Sequence, residues 1–127
     1  MYQKIIVVGN LGGDPVQRYT PSGQAVTNFS VATNRQYNDT SGQRVKETVW
    51  FRVSAWGRQA ETCNQYLKRG SKVLVEGRLT ADPSTGGPKV YGDPPKASYE
   101  MTAVTVQFLD TREEDSAGHD DLDGISF

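Results

Sequence analysis

The sequence is short of the residue types that carry covalent, redox and metal chemistry. Among 127 residues there is one cysteine and one histidine, so Cys63 has no disulfide partner within the chain and His119 has too few companions to hold zinc. No Cys-x-x-Cys pair, His-x-Glu deaminase pattern or nucleophile elbow occurs, and His119 lies in an acidic stretch away from any acid–base partner. Neither an enzyme nor a protein built around a metal or cofactor is expected. No run approaches the roughly 20 apolar residues that cross a bilayer, and Met1 to Val8 lacks the basic start and longer apolar stretch of a secretory leader. The expected workplace is the cytoplasm.

Net charge is equally uninformative until it is divided along the chain. The whole sequence carries −1. Residues 1–109 hold thirteen Lys/Arg against eight Asp/Glu, or +5, whereas residues 110–127 hold one Arg against seven acids, or −6. A basic body of one domain, 1–109, is expected to carry a disordered acidic tail, 110–127, because the tail has no apolar periodicity from which to build a core.

What the body does have is short bursts of Val, Ile, Thr, Tyr, Phe and Trp, which suit pleated, half-buried strands. Lys4 to Val8 reads as a buried strand ended by the Gly9–Pro15 turn. Pro15 to Pro21 then offers an extended segment and a turn, not the helix that a dinucleotide-binding glycine loop requires. Ala25 to Thr33 alternates as a second strand, and the polar stretch Asn34 to Lys46 reads as a mobile loop. In Glu47 to Trp56, Val49, Phe51, Val53 and Ala55 share one face and Thr48, Trp50, Arg52, Ser54 and Trp56 the other. Arg58 to Arg69 has helical spacing at Ala60, Cys63 and Leu67, with Gly70 suited to follow its end.

Ser71 to Thr80 is a fourth strand. Asp82 to Lys96 carries four prolines and three glycines and reads as a long basic loop. Tyr99 to Leu109 is the last strand, and its apolar parity shifts from Met101 and Ala103 to Val104, Val106 and Phe108, which predicts a bulge. The fold class that follows is all-β: a five-stranded Greek-key barrel of the oligonucleotide-binding (OB) kind, with one short helix between the third and fourth strands.

Trp50 and Trp56 on a polar face are the sharpest functional signal, because a large aromatic normally goes inside or into an interface. Indoles facing solvent can stack on any base, and Arg52 between them can meet a phosphate. Arg18, Arg35, Arg44, Lys46, Arg58, Arg69, Lys72 and Arg78 surround the proposed groove, and Tyr37 and Tyr91 offer further stacking rings. Two other readings of the tryptophans stay open: a subunit interface, or a core row in a strand phased one residue off. An RNA-binding barrel would stack bases in the same way.

Several ordered blocks resemble the bacterial and organellar single-stranded DNA-binding protein family. They are Lys4-Ile-Ile-Val-Val-Gly-Asn-Leu-Gly-Gly-Asp-Pro15, Arg18-Tyr19, Phe29-Ser-Val-Ala-Thr33, Glu47-Thr-Val-Trp-Phe-Arg-Val53, Tyr66-Leu-Lys-Arg-Gly-Ser-Lys-Val73, Val75-Glu-Gly-Arg-Leu79 and Val106-Gln-Phe-Leu109. The resemblance implies sequence-independent binding of single-stranded DNA in replication, recombination and repair. It also implies stacking at Trp50, Trp56 and Tyr37, phosphate contacts from Arg52, Arg58 and Arg69, and a homotetramer with Phe51 near a subunit contact. The Asp82–Lys96 loop departs from the family pattern in length and proline content, and Tyr91 stands where its loop aromatic would be sought.

The final residues, Asp120-Asp-Leu-Asp-Gly-Ile-Ser-Phe127, resemble the family's acidic tip, which docks replication and repair proteins, with departures at Gly124 and Ser126. A partner pocket can pair with the terminal carboxylate, bury Phe127 and Ile125, and be steered by Asp120, Asp121 and Asp123.

Overall fold

The computed structural model describes residues 1–109. The expectation of a disordered tail and the tip residues Asp120, Asp121, Asp123, Ile125 and Phe127 lie outside the described residues.

Seven strands and one helix follow one another as β1 (Ile5–Leu11), β2 (Val16–Tyr19), β3 (Ala25–Asn38), β4 (Arg44–Trp56), α1 (Arg58–Tyr66), β5 (Lys72–Leu79), β6 (Lys89–Tyr91) and β7 (Lys96–Phe108). Five of the strands close a barrel in the order β1-β5-β7-β4-β3, because β1 pairs with β5 along its length and with β3 at its end, through Asn10↔Ala32 and Leu11↔Val31. The seam between β4 and β7 is parallel, Arg52 opposite Glu100 and Val53 opposite Met101, and the other barrel ladders are antiparallel. The expected five-stranded barrel with a helix between its third and fourth strands is therefore present.

Alternation decides which side chains fill it. Val7, Leu11, Phe29, Val31, Val53, Ala55, Val73, Val75 and Met101 are buried in one cluster, joined by Cys63 and Leu67 from the helix side. Full burial of each large apolar side chain is worth roughly 1.5–3 kcal/mol. Helix α1 is tied to the barrel by Thr27, whose hydroxyl donates to the Ala60 carbonyl at 2.6 Å. The thiol of Cys63 sits in this contact, and burial pushes it up to about 11, which leaves it an inert part of the core.

Gly9 makes closure possible. A Cβ at this position would lie 2.1 Å from the Ala32 carbonyl oxygen, so β1 and β3 can approach only where one of them has no side chain. The bulge anticipated in the last strand is also there: Glu76 faces Thr105 and Gly77 faces Ala103, which leaves Val104 unpaired and exposed.

Three expectations need correction. The polar stretch 34–46 is not a loop but the outer half of a β3–β4 ribbon, laddered without interruption from Val26↔Trp56 to Asn38↔Arg44. Its turn is closed by the Asp39 carboxylate, which accepts from the Ser41 hydroxyl at 2.7 Å and from the Ser41 and Gln43 amides at 2.9 Å. These bonds, the Ser41 hydroxyl first, hold the Asp39 carboxyl below its ordinary value. The proline-rich stretch 82–96 contains β6, hairpinned onto the start of β7 through Lys89↔Ser98, Val90↔Ala97 and Tyr91↔Lys96.

Helix α1 stops at Tyr66, and Leu67 is already extended. Leu67 is buried in the core, so packing ends the helix before Lys68 and Arg69. Gly70, at φ +88°, serves the turn into β5 instead of capping the helix.

Candidate nucleic-acid interface

Trp50 and Trp56 face outward, 51% and 40% exposed, while Val53 and Ala55 on the opposite parity are fully buried. A core row phased one residue off is thereby excluded. Six residues of strand separate the two indoles by about 20 Å, so each must serve a different base.

Across β3 the register sets Ala32 beside Trp50, Ser30 beside Arg52 and Asn28 beside Ser54. Small and polar neighbours leave an open trough of about 680 Å³ lined by Gly12, Gly13, Asp14, Val16, Arg18, Asn28, Phe29, Ser30, Trp50 and Arg52. Its floor is a polar relay: the Asn28 amide donates to the Ser54 hydroxyl at 2.7 Å, and Arg18 donates to the Asn28 carbonyl at 3.4 Å. Arg18 and Arg52 thus supply two guanidinium groups to one groove, against the single acid Asp14. Arg52 makes no ion pair among the described residues, which leaves its fork for an external anion.

Gly12 is part of this site, and the sequence reading, which took it only for a turn residue, missed that role. A Cβ on Gly12 would stand 2.5 Å from Cζ3 and 2.7 Å from Cη2 of Trp50, so the indole rests on bare backbone. The Gly12 amide is fixed in turn by donation to the Ser30 carbonyl at 3.1 Å. Replacing Gly12 with alanine should displace the Trp50 ring without loosening the barrel. We expect unfolding stability to stay within about 0.5 kcal/mol of the parent and affinity for an oligonucleotide to fall about 3- to 10-fold, a fraction of one base stack. Unchanged tryptophan emission together with parental affinity would show that the ring does not depend on this seat.

The ribbon of β3 and β4 extends the same face. Lys46 and Thr48 continue the parity of Trp50, with Arg44 donating to the Gln36 side chain and Thr48 to that of Asn34 at 2.7 Å. Arg35 and Tyr37 belong to the other parity. There Arg35 lies over the Tyr37 ring, 4.7 Å from its centroid, and meets Glu47 at 3.4 Å. Right-handed twist rotates both faces of such a ribbon as it leaves the barrel.

The β6–β7 hairpin brings Tyr91 to the site as well. Its ring lies 5.7 Å from the Arg52 guanidinium, and its hydroxyl donates to the Glu100 carboxylate at 2.5 Å.

The remaining predicted bases are spread more widely. Arg69 stands beside the trough, its amide donating to Asp14 at 2.9 Å. Lys72 opens β5 opposite Asn10. Arg58 instead lines a separate cleft with Thr62, Cys63, Val106 and Phe108, and Arg78 lines another with Tyr2, Lys4 and Val104. Neither of these two lines the Trp50 trough, although Arg58 follows Trp56 by two residues. A linear sequence shows where positive charge falls but not which side of a closed barrel receives it. The described residues contain no cluster of three His, Cys, Asp or Glu able to hold a metal ion, and none of their helices is long and apolar enough to cross a membrane.

A closed five-strand barrel with one short helix, and with aromatics and guanidinium groups along its second and third strands, has the OB-fold of nucleic-acid-binding proteins. Residues 2–109 match the model of the single-strand binding protein family. The chain belongs to that family.

It is 40% identical over 115 residues to a single-stranded DNA-binding protein of Neisseria meningitidis, a match covering 91% of this chain and 64% of the relative. It is 39% identical over 129 residues to one of Wolinella succinogenes, covering 100% and 76%. The chain thus spans just under two thirds of the length of the Neisseria relative. Among solved structures, a Plasmodium falciparum SSB in complex with ssDNA superposes with a TM-score of 0.73 at 26% identity, covering 87% of this chain and 96% of that one. The single-stranded DNA binding protein from Thermus aquaticus, as a deletion mutant, gives 0.69 at 30%, covering 86% and 51%.

Proposed function

We propose that residues 1–109 bind single-stranded DNA without sequence preference, protecting it during replication, recombination and repair, and catalyse no reaction. The observation that carries this reading is the outward pair Trp50 and Arg52 on one trough, a π-face beside a guanidinium that makes no ion pair among the described residues. Stacking does not discriminate among bases, and the guanidinium groups read only the backbone. Trp56 extends the path in one direction, and the ribbon extends it in the other, with Arg44 and Lys46 on the face of Trp50 and Arg35 and Tyr37 on the opposite face that the strand twist turns. The names of the relatives, and the single-stranded DNA held by the Plasmodium neighbour, support the same reading.

Titration of tryptophan emission with oligo-dT, duplex DNA and RNA tests it. Quenching should be strongest with oligo-dT. Arg18 and Arg52 alone should give a slope of about −1.4 or steeper in log affinity against log salt, from about 0.7 per neutralised phosphate. A flat salt response, or equal affinity for the duplex, overturns the proposal; preference for RNA makes the chain an RNA-binding barrel instead.

Ile6, Leu79, Tyr99 and Val104 are exposed apolar residues outside the trough. They support assembly into a homotetramer, in which one strand of DNA would bridge several barrels and gain avidity of about 10²- to 10⁴-fold. Light scattering on the titrated sample should read four chains of 14.0 kDa, and a monomer mass would refute the assembly. Residues 110–127 are assigned to partner docking through Asp120, Asp121, Asp123, Ile125 and Phe127. Deleting residues 120–127 should abolish binding of a replication or repair protein while sparing the DNA groove, and retained binding would refute the assignment. A role on cellular single strands would put the protein's workplace in the cytoplasm, at the nucleoid.

A further inference from the structure

Among the described residues Glu100 is the one buried carboxylate, 9% exposed, and its position is at odds with the surface around it. The β4–β7 ladder sets it directly opposite Arg52, where a free carboxylate would repel phosphate and compete for the guanidinium. A buried acid also costs stability unless its oxygens are bonded.

Its bonds go elsewhere. One oxygen accepts the Tyr91 hydroxyl at 2.5 Å, the other faces the Lys89 ammonium at 4.0 Å, and among the described residues it makes no ion pair with Arg52. Both partners come from β6, a three-residue strand held by three residue pairs. So short a hairpin has little stability of its own. Lys89 and Tyr91 share a parity, so a single carboxylate pins that whole face of β6. The Tyr91 ring meanwhile stays 46% exposed beside Arg52. The same bond holds the Tyr91 phenol above its ordinary value, so it remains a donor throughout the neutral range.

We infer that Glu100 is the positioning residue for Tyr91: by binding the hydroxyl and Lys89 it fixes the β6 hairpin against the sheet, presents the ring as a stacking platform next to Arg52, and leaves that guanidinium to the DNA. The inference rests on the assignment of this face to single-stranded DNA. It makes an unusual demand on an acid in a DNA-binding face. By charge alone, removing Glu100 should tighten binding, whereas by position removing it should weaken binding.

Oligo-dT affinity across a salt series, measured on the full chain, separates the two. Glu100→Ala should bind about 3-fold or more weakly, because it loses part of the stack that Tyr91→Ala loses entirely, itself about 5-fold or more. Glu100→Gln, whose amide oxygen accepts the same hydroxyl, should stay within about 2-fold of the parent. In the Tyr91→Ala background Glu100→Ala should cost nothing further, within about 2-fold.

Parental or tighter binding by Glu100→Ala overturns the inference, and so does an equal loss with and without Tyr91. Should Glu100→Ala fail to fold, Tyr91→Phe carries the test: it keeps the ring, loses the bond, and should weaken binding as Glu100→Ala would, whereas parental affinity overturns the inference. A Trp50→Ala variant with parental affinity would instead remove the assignment of the face itself.

Discussion

Replacing Trp50 and Trp56 together with alanine weakens binding of a single-stranded oligonucleotide by about 25-fold or more. Each indole contributes roughly 1–3 kcal/mol of base stacking, and 1.4 kcal/mol is tenfold in affinity. The two losses should add, since about 20 Å separates the rings and no partner is shared. Stability should move by no more than about 0.5 kcal/mol per site, because both rings are exposed and the core row of Val53 and Ala55 is untouched. The salt slope should survive, since Arg18 and Arg52 remain. Fluorescence anisotropy of a labelled oligonucleotide measures both quantities. Affinity within 2-fold of the parent would remove the groove assignment, and loss of folding would mean that the indoles belong to the core after all.

Gly9→Ala should have the largest effect on the fold. The new methyl would lie 2.1 Å from the Ala32 carbonyl oxygen and 2.9 Å from Val31 Cγ1. The first of these is backbone in the adjoining strand and cannot swing aside as a side chain can. Relief requires β1 to part from β3 at Asn10↔Ala32 and Leu11↔Val31, the contacts that close the barrel. Overpacking typically costs about 1–3 kcal/mol, and a clash with backbone that cannot move aside puts this one at about 3 kcal/mol or more, out of the 5–15 kcal/mol typical of a whole domain. A melting temperature lower by about 12 °C or more is expected at 4–8 °C per kcal/mol. Gly13→Ala is the control: a Cβ there meets nothing within 4 Å, so the same substitution four residues on should be close to neutral. Equal melting of the two variants would refute the role given to Gly9.

Much of this protein follows from alternation alone. A strand sends neighbouring side chains to opposite faces, so Val53 and Ala55 inside and Trp50, Arg52 and Trp56 outside could be read from residues 49–56 without knowing any partner strand. The bulge at Val104 was legible for the same reason, as a slip in parity. The 34–46 ribbon was not, because its polar residues have turn chemistry and no buried face. Only its continuous ladder with β4 makes it a strand. The 82–96 hairpin was hidden likewise, since prolines and glycines mask a strand of three residues.

The sequence by itself determined the row of rings and charge that looks outward and the apolar row that looks inward, because both depend on the two-residue period of one strand. Tertiary structure alone decided which neighbours that row would have. Closure set Gly12 beneath Trp50, the parallel seam set Glu100 opposite Arg52, and the β6 hairpin carried Tyr91 to the same place, while Arg58 and Arg78 came to line separate clefts. These are pairings between residues tens of positions apart, fixed by barrel geometry and packing, and no local period in the chain encodes them.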